Sequence, residues 1–253
     1  MRVLSLFSGI GGTDLAAQWA GLETVGFVEI EPFCQQVLAK HWPGVPIFSD
    51  IREVTGEHIR QQCGGVDLIC GGFPCQDLSR CGKRTGITGE RSGLWEHFSR
   101  LIGELRPRYA VVENVTGVLD RDGGGMARVL GDLSALRYDA EWGVIFAHWV
   151  GAPYPRPRVF IVAYDACEHG HPHDLLEAGQ ERESPKQPRG FFSHALSAIR
   201  RDAYPRVGRE PGLARLVRRV PGAMDRVKAL GNCCVPQQIY PLFRAIMEFE
   251  GRG

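Results

Sequence analysis

The sequence predicts a doubly wound α/β domain built on a mostly parallel sheet, with a small irregular domain inserted late in the chain. Over the first two-thirds, short apolar runs alternate with helical patterns, as a parallel sheet with crossover helices requires. A glycine-rich turn stands between the first apolar run and the first helical one. From Asp165 to about Val220 the periodicity fails, and proline, histidine, glycine and charge take over. The 253 residues are enough for one large domain, or for one domain plus a small insert.

Val3–Phe7 reads as the first strand. A glycine turn and a helix follow, with Thr13 or Asp14 as the expected cap and Gly21 at the helix end. Thr24–Glu29 is the second strand, and Pro32 suits the first position of the next helix. Ile47–Asp50 and Val66–Gly71 are the third and fourth strands. Leu94–Leu105 is helical, and Tyr109–Glu113 is a strongly apolar fifth strand. Tyr138–Phe146 and Val159–Tyr164 complete the sheet, and a last helix, Gln237–Glu250, follows Pro236. The chain contains no internal repeat and divides into residues 1–164, 165–220 and 221–253.

Composition narrows the class of function. With 43% hydrophobic and 23% charged residues, the chain can build a sizeable core and is neither a disordered tail nor a collagen-like fibre. No run approaches the roughly 18 apolar residues of a membrane span. Met1–Phe7 is too short for a signal peptide and runs straight into glycines. The eight cysteines are therefore expected to be free thiols of a reducing compartment, and no C-x-x-C pair suggests a zinc ribbon. Cys167–His173 gathers soft and imidazole ligands, but its spacing matches no standard zinc pattern, so no metal is assigned. Charge is distributed unevenly. Six acids face one base between Asp165 and Glu183, whereas Lys186–Lys228 carries eleven bases against three acids, as a surface for a polyanion would.

Three motifs carry chemistry. Phe7-Ser8-Gly9-Ile10-Gly11-Gly12 lies between the first strand and helix, where glycines admit a ligand to the backbone and the helix N-terminus offers donors. Glu29 and Glu31, at the tip of the second strand, stand near the spacing of a carboxylate that grips ribose hydroxyls. Gly71-Gly72-Phe73-Pro74-Cys75-Gln76 follows the fourth strand, and Glu113-Asn114-Val115 ends the fifth, so a thiol and a carboxylate meet at one sheet edge. That pair suits nucleophilic attack on an electron-poor ring, with the acid handling the proton.

Together and in this order, these motifs resemble those of the C5-cytosine DNA methyltransferase family. Ser49-Asp50-Ile51, Arg156-Pro157-Arg158-Val159-Phe160-Ile161 and Ala229-Leu230-Gly231-Asn232 are similar to three further family segments. The resemblance covers residues 1–164 and about 225–250. It implies a Rossmann-like methyltransferase sheet and S-adenosylmethionine as cofactor, with S-adenosylhomocysteine as product. It also implies a catalytic and cofactor-binding domain over 1–164, a reduced target-recognition domain over 165–220, and a C-terminal segment, 221–253, that returns to the catalytic domain.

The resemblance further assigns residues. Cys75 would add to C6 of cytosine, Glu113 would hold or supply a proton at N3, and Arg156 or Arg158 would place positive charge near the thiolate and O2. Phe7, Gly9, Gly11, Gly12, Glu29, Ile30, Asp50, Ile51, Pro74 and Asn232 would hold the cofactor. C6 is shielded within a duplex, so the base must be flipped out. The basic, glycine-rich stretch Ser79–Gly93 would close over it, with Gln76, Ser79, Arg80, Lys83 and Arg84 contacting DNA. Arg200, Arg201, Arg206, Arg209, Arg215, Arg218 and Arg219 are the candidates for DNA contacts, with Arg218 and Arg219 expected on phosphates, and the short recognition segment implies a target of about two to four base pairs. Two positions depart from the family pattern: Tyr154 replaces a usual glutamine, and Cys81 a usual small hydroxyl residue.

The implied protein is a cytoplasmic monomer of prokaryotic or phage origin, acting on double-stranded DNA, with a cognate restriction endonuclease as a partner the family allows. Two alternatives stand beside it: a tRNA cytosine-5 methyltransferase, whose usual Cys-Phe-Thr signature is missing here, and an inactive DNA-binding regulator, against which Cys75, Glu113 and Asn232 argue.

Overall fold

The computed structural model describes residues 1–74, 93–120, 125–165, 190–201 and 223–251. Among these, one sheet is formed by β1 (Arg2–Leu6), β2 (Glu23–Val28), β3 (Ile47–Phe48), β4 (Leu68–Gly71), β5 (Tyr109–Val115), β6 (Tyr138–Phe146) and β7 (Pro157–Asp165). The strand order is β3-β2-β1-β4-β5-β7-β6. The first five strands pair in parallel, whereas β7 runs antiparallel to both β5 and β6. The helices are α1 (Gly12–Trp19), α2 (Pro32–His41), α3 (Gly56–Cys63), α4 (Leu94–Leu105), α5 (Gly125–Ala135), α6 (Phe191–Arg201), α7 (Ala223–Asn232) and α8 (Pro236–Glu250).

Both faces of the sheet are buried, which explains why its central strands are apolar throughout rather than alternating with polar residues. On β7, Val159, Ile161 and Ala163 join a core shared with α3, α4 and α5. The intervening Phe160, Val162 and Tyr164 join a second core with α1, α6 and α8. The two-residue period of a strand thus feeds both layers from one segment.

Several elements differ from the sequence expectation. The third strand is shorter than Ile47–Asp50, because Asp50 leaves the sheet to bond the Arg52 side chain and backbone. Thr13 and Asp14 do not cap α1; its N-cap is Gly11, at φ 84°, with no side-chain cap. Asp14 instead lies fully buried beneath the helix, accepting hydrogen bonds from Ser5 Oγ and Thr24 Oγ1, both at 3.0 Å. It ties α1 to β1 and β2. Within the stretch expected to be irregular, α6 buries Phe191, Ala195 and Ile199, spaced four residues apart. The Phe191 ring packs against Tyr109, Tyr164 and Phe249, so α6 is part of the layer over the sheet. The short α3 also escapes a reading by periodicity. Its apolar positions are few, and its start is set by Thr55, whose Oγ1 accepts from His58 N–H at 3.2 Å.

The order reverses at β1: the chain first builds outward to β2 and β3, then crosses to place β4 on the other side. Ligands of open α/β sheets bind outside the carboxyl ends of the strands at such a point. Leu6 and Gly71 are register partners there, so the turns after β1 and β4 share one crevice. β5 follows in parallel, and the reversed β7 brings its first residues to the same edge, with Arg158 opposite Val115.

The buried Asp14 gives a test of this packing. Burial lifts its carboxyl to about 6 against the opposing pull of the two hydroxyls. An unfolded aspartate titrates near 3.9, so this contribution to stability is full below about pH 4 and is lost as pH rises through 6. Asp14→Asn should remove that loss. Relative to wild type, its unfolding free energy in urea should gain about 2 kcal/mol between pH 4.5 and pH 7. Parallel pH profiles for the two proteins would contradict the assignment.

Candidate active site

The turn after β1 is held in a strained form. Phe7 has φ 52° and Gly9 φ 55°, the left-handed region that an aromatic residue rarely adopts. Ser8 N–H donates to Val28 O at 3.3 Å and Gly11 N–H to Ser8 O at 3.0 Å, which closes the turn against β2. The three glycines have different surroundings. A Cβ on Gly9 would meet nothing, so its backbone faces open space. A Cβ on Gly11 would strike the Trp42 ring at 2.5 Å, and one on Gly12 would collide with Cys233 and Cys234. Gly11 and Gly12 are closely packed by the chain on the turn, Gly11 also at a positive φ, and Gly9 faces open space.

Glu29 follows directly on β2 and is buried. Its Oε2 accepts from Gly9 N–H at 2.7 Å and its Oε1 from Glu31 N–H at 2.8 Å. A carboxylate has about four acceptor sites, so two remain for a ligand. Beside it, Ile30 is 57% exposed, an apolar surface at the mouth of the crevice. Gln35 Nε2 donates to Glu29 O at 2.6 Å and to Ser49 Oγ at 3.3 Å, fixing the β2 tip against the segment that carries Asp50. Asp50 is clasped by Arg52, with Nη2 at 2.6 Å from Oδ2, and that hydrogen bonding holds its carboxyl below the ordinary range. Ile51 differs from Ile30: its side chain is buried in the core with α3 and α4.

Beyond β4, Phe73 packs on Trp95, which stacks on Phe98, and Phe7 reaches the same ring group at 6.5 Å from Phe98. The two turns of the crevice thus rest on one aromatic floor. Pro74 follows, half-buried; Cys75 and the expected DNA contacts Gln76, Ser79, Arg80, Lys83 and Arg84 lie outside the described residues. A Cβ on Gly72 would sit 2.5 Å from Glu113 Oε2, so glycine at that position makes room for the carboxylate. Asn114, buried in β5, donates from Nδ2 to Phe73 O at 3.3 Å and accepts from Val115 N–H at 2.8 Å. It anchors the chain just before Pro74. Asn114 belongs to the Glu113-Asn114-Val115 motif, and its anchoring contact appears only in the folded chain.

Glu113 and Arg158 form the charged centre of the site, Nε to Oε1 at 2.8 Å, both mostly enclosed. Burial raises the Glu113 carboxyl above its ordinary value, while the charges of Arg158 and then Arg156 oppose the rise. The two arginines, expected in one role, divide. Arg158 pairs with the carboxylate, whereas Arg156 Nη2 donates to Gly231 O at 2.8 Å and Cys233 O at 2.7 Å, the carbonyls flanking Asn232. Arg156 therefore holds the C-terminal loop in place, and Asn232 itself is exposed at the end of α7.

Five described cysteines, Cys34, Cys63, Cys70, Cys233 and Cys234, are free. Burial pushes each thiol up, Cys34 to about 11 with help from Glu29 and Glu31. None of these five is a ready thiolate. No metal-binding cluster occurs among the described residues, and Cys167–His173, Arg218 and Arg219 lie outside them.

Comparison with known proteins places this geometry. The chain is 39% identical over 168 residues to the Type II methyltransferase M2.BsuMI of Bacillus subtilis (strain 168), covering 64% of this chain and 42% of the relative. It is 33% identical over 175 residues to the Type II methyltransferase M.AquIA of Picosynechococcus sp., covering 64% and 71%. Against several other relatives of this kind the match spans less than half of their length. Among solved structures, one described as a DNA modification methyltransferase encoded within an E. coli prophage superposes with TM-score 0.57 at 27% identity, over 74% of this chain and 51% of that one. The S. pombe Dnmt2 methyltransferase shares the fold, with TM-score 0.55 at 16% identity over 97% and 94% of the two chains. The family model for C-5 cytosine-specific DNA methylase matches residues 1–206, and on that match, with the crevice described above, the chain belongs to the C-5 cytosine-specific DNA methylases.

Proposed function

We propose that the protein transfers a methyl group from S-adenosylmethionine to C5 of a cytosine flipped out of double-stranded DNA. The observation that carries this reading is the enclosed Glu113–Arg158 pair, set against Gly72 three residues before Cys75 at the switch point of the sheet.

The residues present fit the cofactor. Gly9 leaves backbone open to a ligand, Glu29 keeps acceptor capacity for two hydroxyls, and Ile30 offers an apolar face for a nucleobase. Phe7, Asp50, Pro74 and Asn232 complete the proposed set, with Ile51 supporting it from the core. When bound, S-adenosylmethionine supplies an electrophilic methyl group.

The chain's own residues then act on cytosine. The Cys75 thiolate adds to C6, the electron pair of the C5–C6 double bond shifts to C4–C5, and that of the C4–N3 double bond moves to N3, which makes C5 nucleophilic. Glu113, whose carboxyl is raised by burial, hydrogen-bonds or protonates N3 and so stabilises the electron-rich ring. Arg158 restrains Glu113 and carries positive charge beside the base. After methylation, loss of the C5 proton and departure of Cys75 restore the aromatic ring. The described cysteines, raised by burial, are poor candidates for this attack, which supports Cys75 as the nucleophile. We assign target recognition to the parts of 165–220 outside α6, with Arg218 and Arg219 on phosphates. The relatives are named Type II methyltransferases, which supports a partner endonuclease.

Bisulfite sequencing of DNA from cells expressing the protein, with transfer RNA from the same cells, tests the activity. Methylated cytosines in a short DNA sequence are expected; methylation confined to transfer RNA would overturn the choice of substrate. Cys75→Ala should abolish methyl transfer while leaving S-adenosylmethionine binding nearly intact, and transfer near the wild-type rate would exclude the covalent route. Glu29→Ala should weaken cofactor binding by about 1–3 kcal/mol, the cost of leaving buried polar groups unpaired. Unchanged affinity by calorimetry would move the cofactor site elsewhere. Neutralising Arg218 and Arg219 together should weaken binding to all DNA sequences and flatten its salt dependence, whereas wild-type binding at every salt concentration would make that run a solvated face.

A further inference from the structure

Gln238 lies on α8, outside the crevice, and is fully buried. Its Nε2 donates to Ile145 O at 2.8 Å and to Arg156 O at 3.0 Å. Ile145 is the register partner of Arg158 across the β6–β7 ladder, and Arg156 stands two residues before Arg158. One amide therefore grips both the strand residue opposite the arginine that pairs with Glu113 and the backbone two residues before that arginine. Arg156 is itself in an unusual conformation, φ 29°, and its guanidinium holds Gly231 O and Cys233 O. Among the described residues, the buried side-chain atoms without a hydrogen-bond partner are Arg156 Nε and Gln238 Oε1, both in this cluster. Buried orphan groups and left-handed non-glycine residues are rare, and they persist where the surroundings over-determine them.

We propose that Gln238 is a positioning residue: with Arg156 it clamps the start of β7 between β6 and the C-terminal segment, and so fixes Arg158 against Glu113. The clamp gives α8 a second task beyond covering the sheet. It joins the end of α7, where Asn232 stands, to the strand bearing Arg158, so the cofactor side and the base side of the site share one support. This rests on the proposed function only for its catalytic consequence; the geometric claim concerns the Glu113–Arg158 pair alone. Among the described residues, the charged and titratable groups that act on Glu113 are Arg158 and Arg156 from β7 and its approach, and Cys233 and Cys234 from the segment before α8.

The test follows the Glu113 carboxyl by carbon NMR in cofactor-free protein with labelled glutamate, its signal assigned by loss in Glu113→Gln. In Gln238→Met, which keeps the volume but removes both donors, Arg158 should no longer be held. The Glu113 titration should then move up by about one unit, as expected when an opposing charge withdraws. Methyl transfer should fall about tenfold or more in kcat with little change in the KM for DNA. Leu242→Ala, a core change on the same helix, should lower Tm without moving the Glu113 titration. If Gln238→Met does not fold, Gln238→Asn, too short to reach both carbonyls, should give the same upward shift. A Glu113 titration unmoved in the folded variant would overturn the proposal, whatever happens to Tm. An inactive wild type with the shift intact would instead count against the proposed function and leave the clamp standing.

Discussion

A carboxylate in the enclosed position of Glu113 needs a nearby cation, because an uncompensated buried charge is costly. Arg158 supplies it, and much of the site's geometry follows from bringing the two together. The cation can reach Glu113 because β7 runs against β5. Strand residues at the start of β7 then lie at the edge where β5 ends, with Phe160 opposite Glu113 and Arg158 opposite Val115. In a fully parallel sheet the same Arg-x-Arg segment would sit at the far edge. Gly72 adapts to the pair from the other side, since any side chain there would meet the carboxylate.

The C-terminal segment belongs to this arrangement as much as to the core. α8 packs its apolar face into the layer over β1, β4, β5 and β7, beside α1 and α6. Its preceding loop presses Cys233 and Cys234 against Gly12 at the base of the glycine turn, and Arg156 binds that loop's carbonyls. Lys228 also reaches Glu31 at 2.7 Å, an exposed pair that contributes little to stability but joins α7 to the tip of β2. Residues distant in sequence are thereby held on both sides of one crevice.

The elements most legible in the sequence were those whose pattern is dictated locally. Leu94–Leu105 coincides with α4, because its apolar stripe and the turn after it leave one helical reading. Strands β1, β2, β4 and β5 lie within a residue or two of expectation, as apolar runs bounded by glycine or acid allow little choice. Where local signals were weak, packing decided. Asp14 looked like a cap by position, yet two hydroxyls on neighbouring strands draw it inward. Helix α6 was hidden because its buried stripe is short and lies between polar, proline-bearing flanks.

The sequence by itself determined the α/β class, the glycine turn after the first strand, and the choice of Glu29 and Glu113 as strand-end carboxylates. Each depends on residues within a few positions of one another, where backbone preference and periodicity act directly. The tertiary structure alone decided that β7 is antiparallel, that Arg156 and Arg158 have different partners, and that Gly11 and Gly12 serve packing while Gly9 stays open. Those outcomes rest on contacts between segments far apart in the chain, such as Arg156 with Cys233, 77 residues on, and Gly12 with Cys233 and Cys234. A linear pattern carries no record of which strand lies beside which, or in what direction; the burial of both sheet faces and the pairing of one enclosed charge supply it.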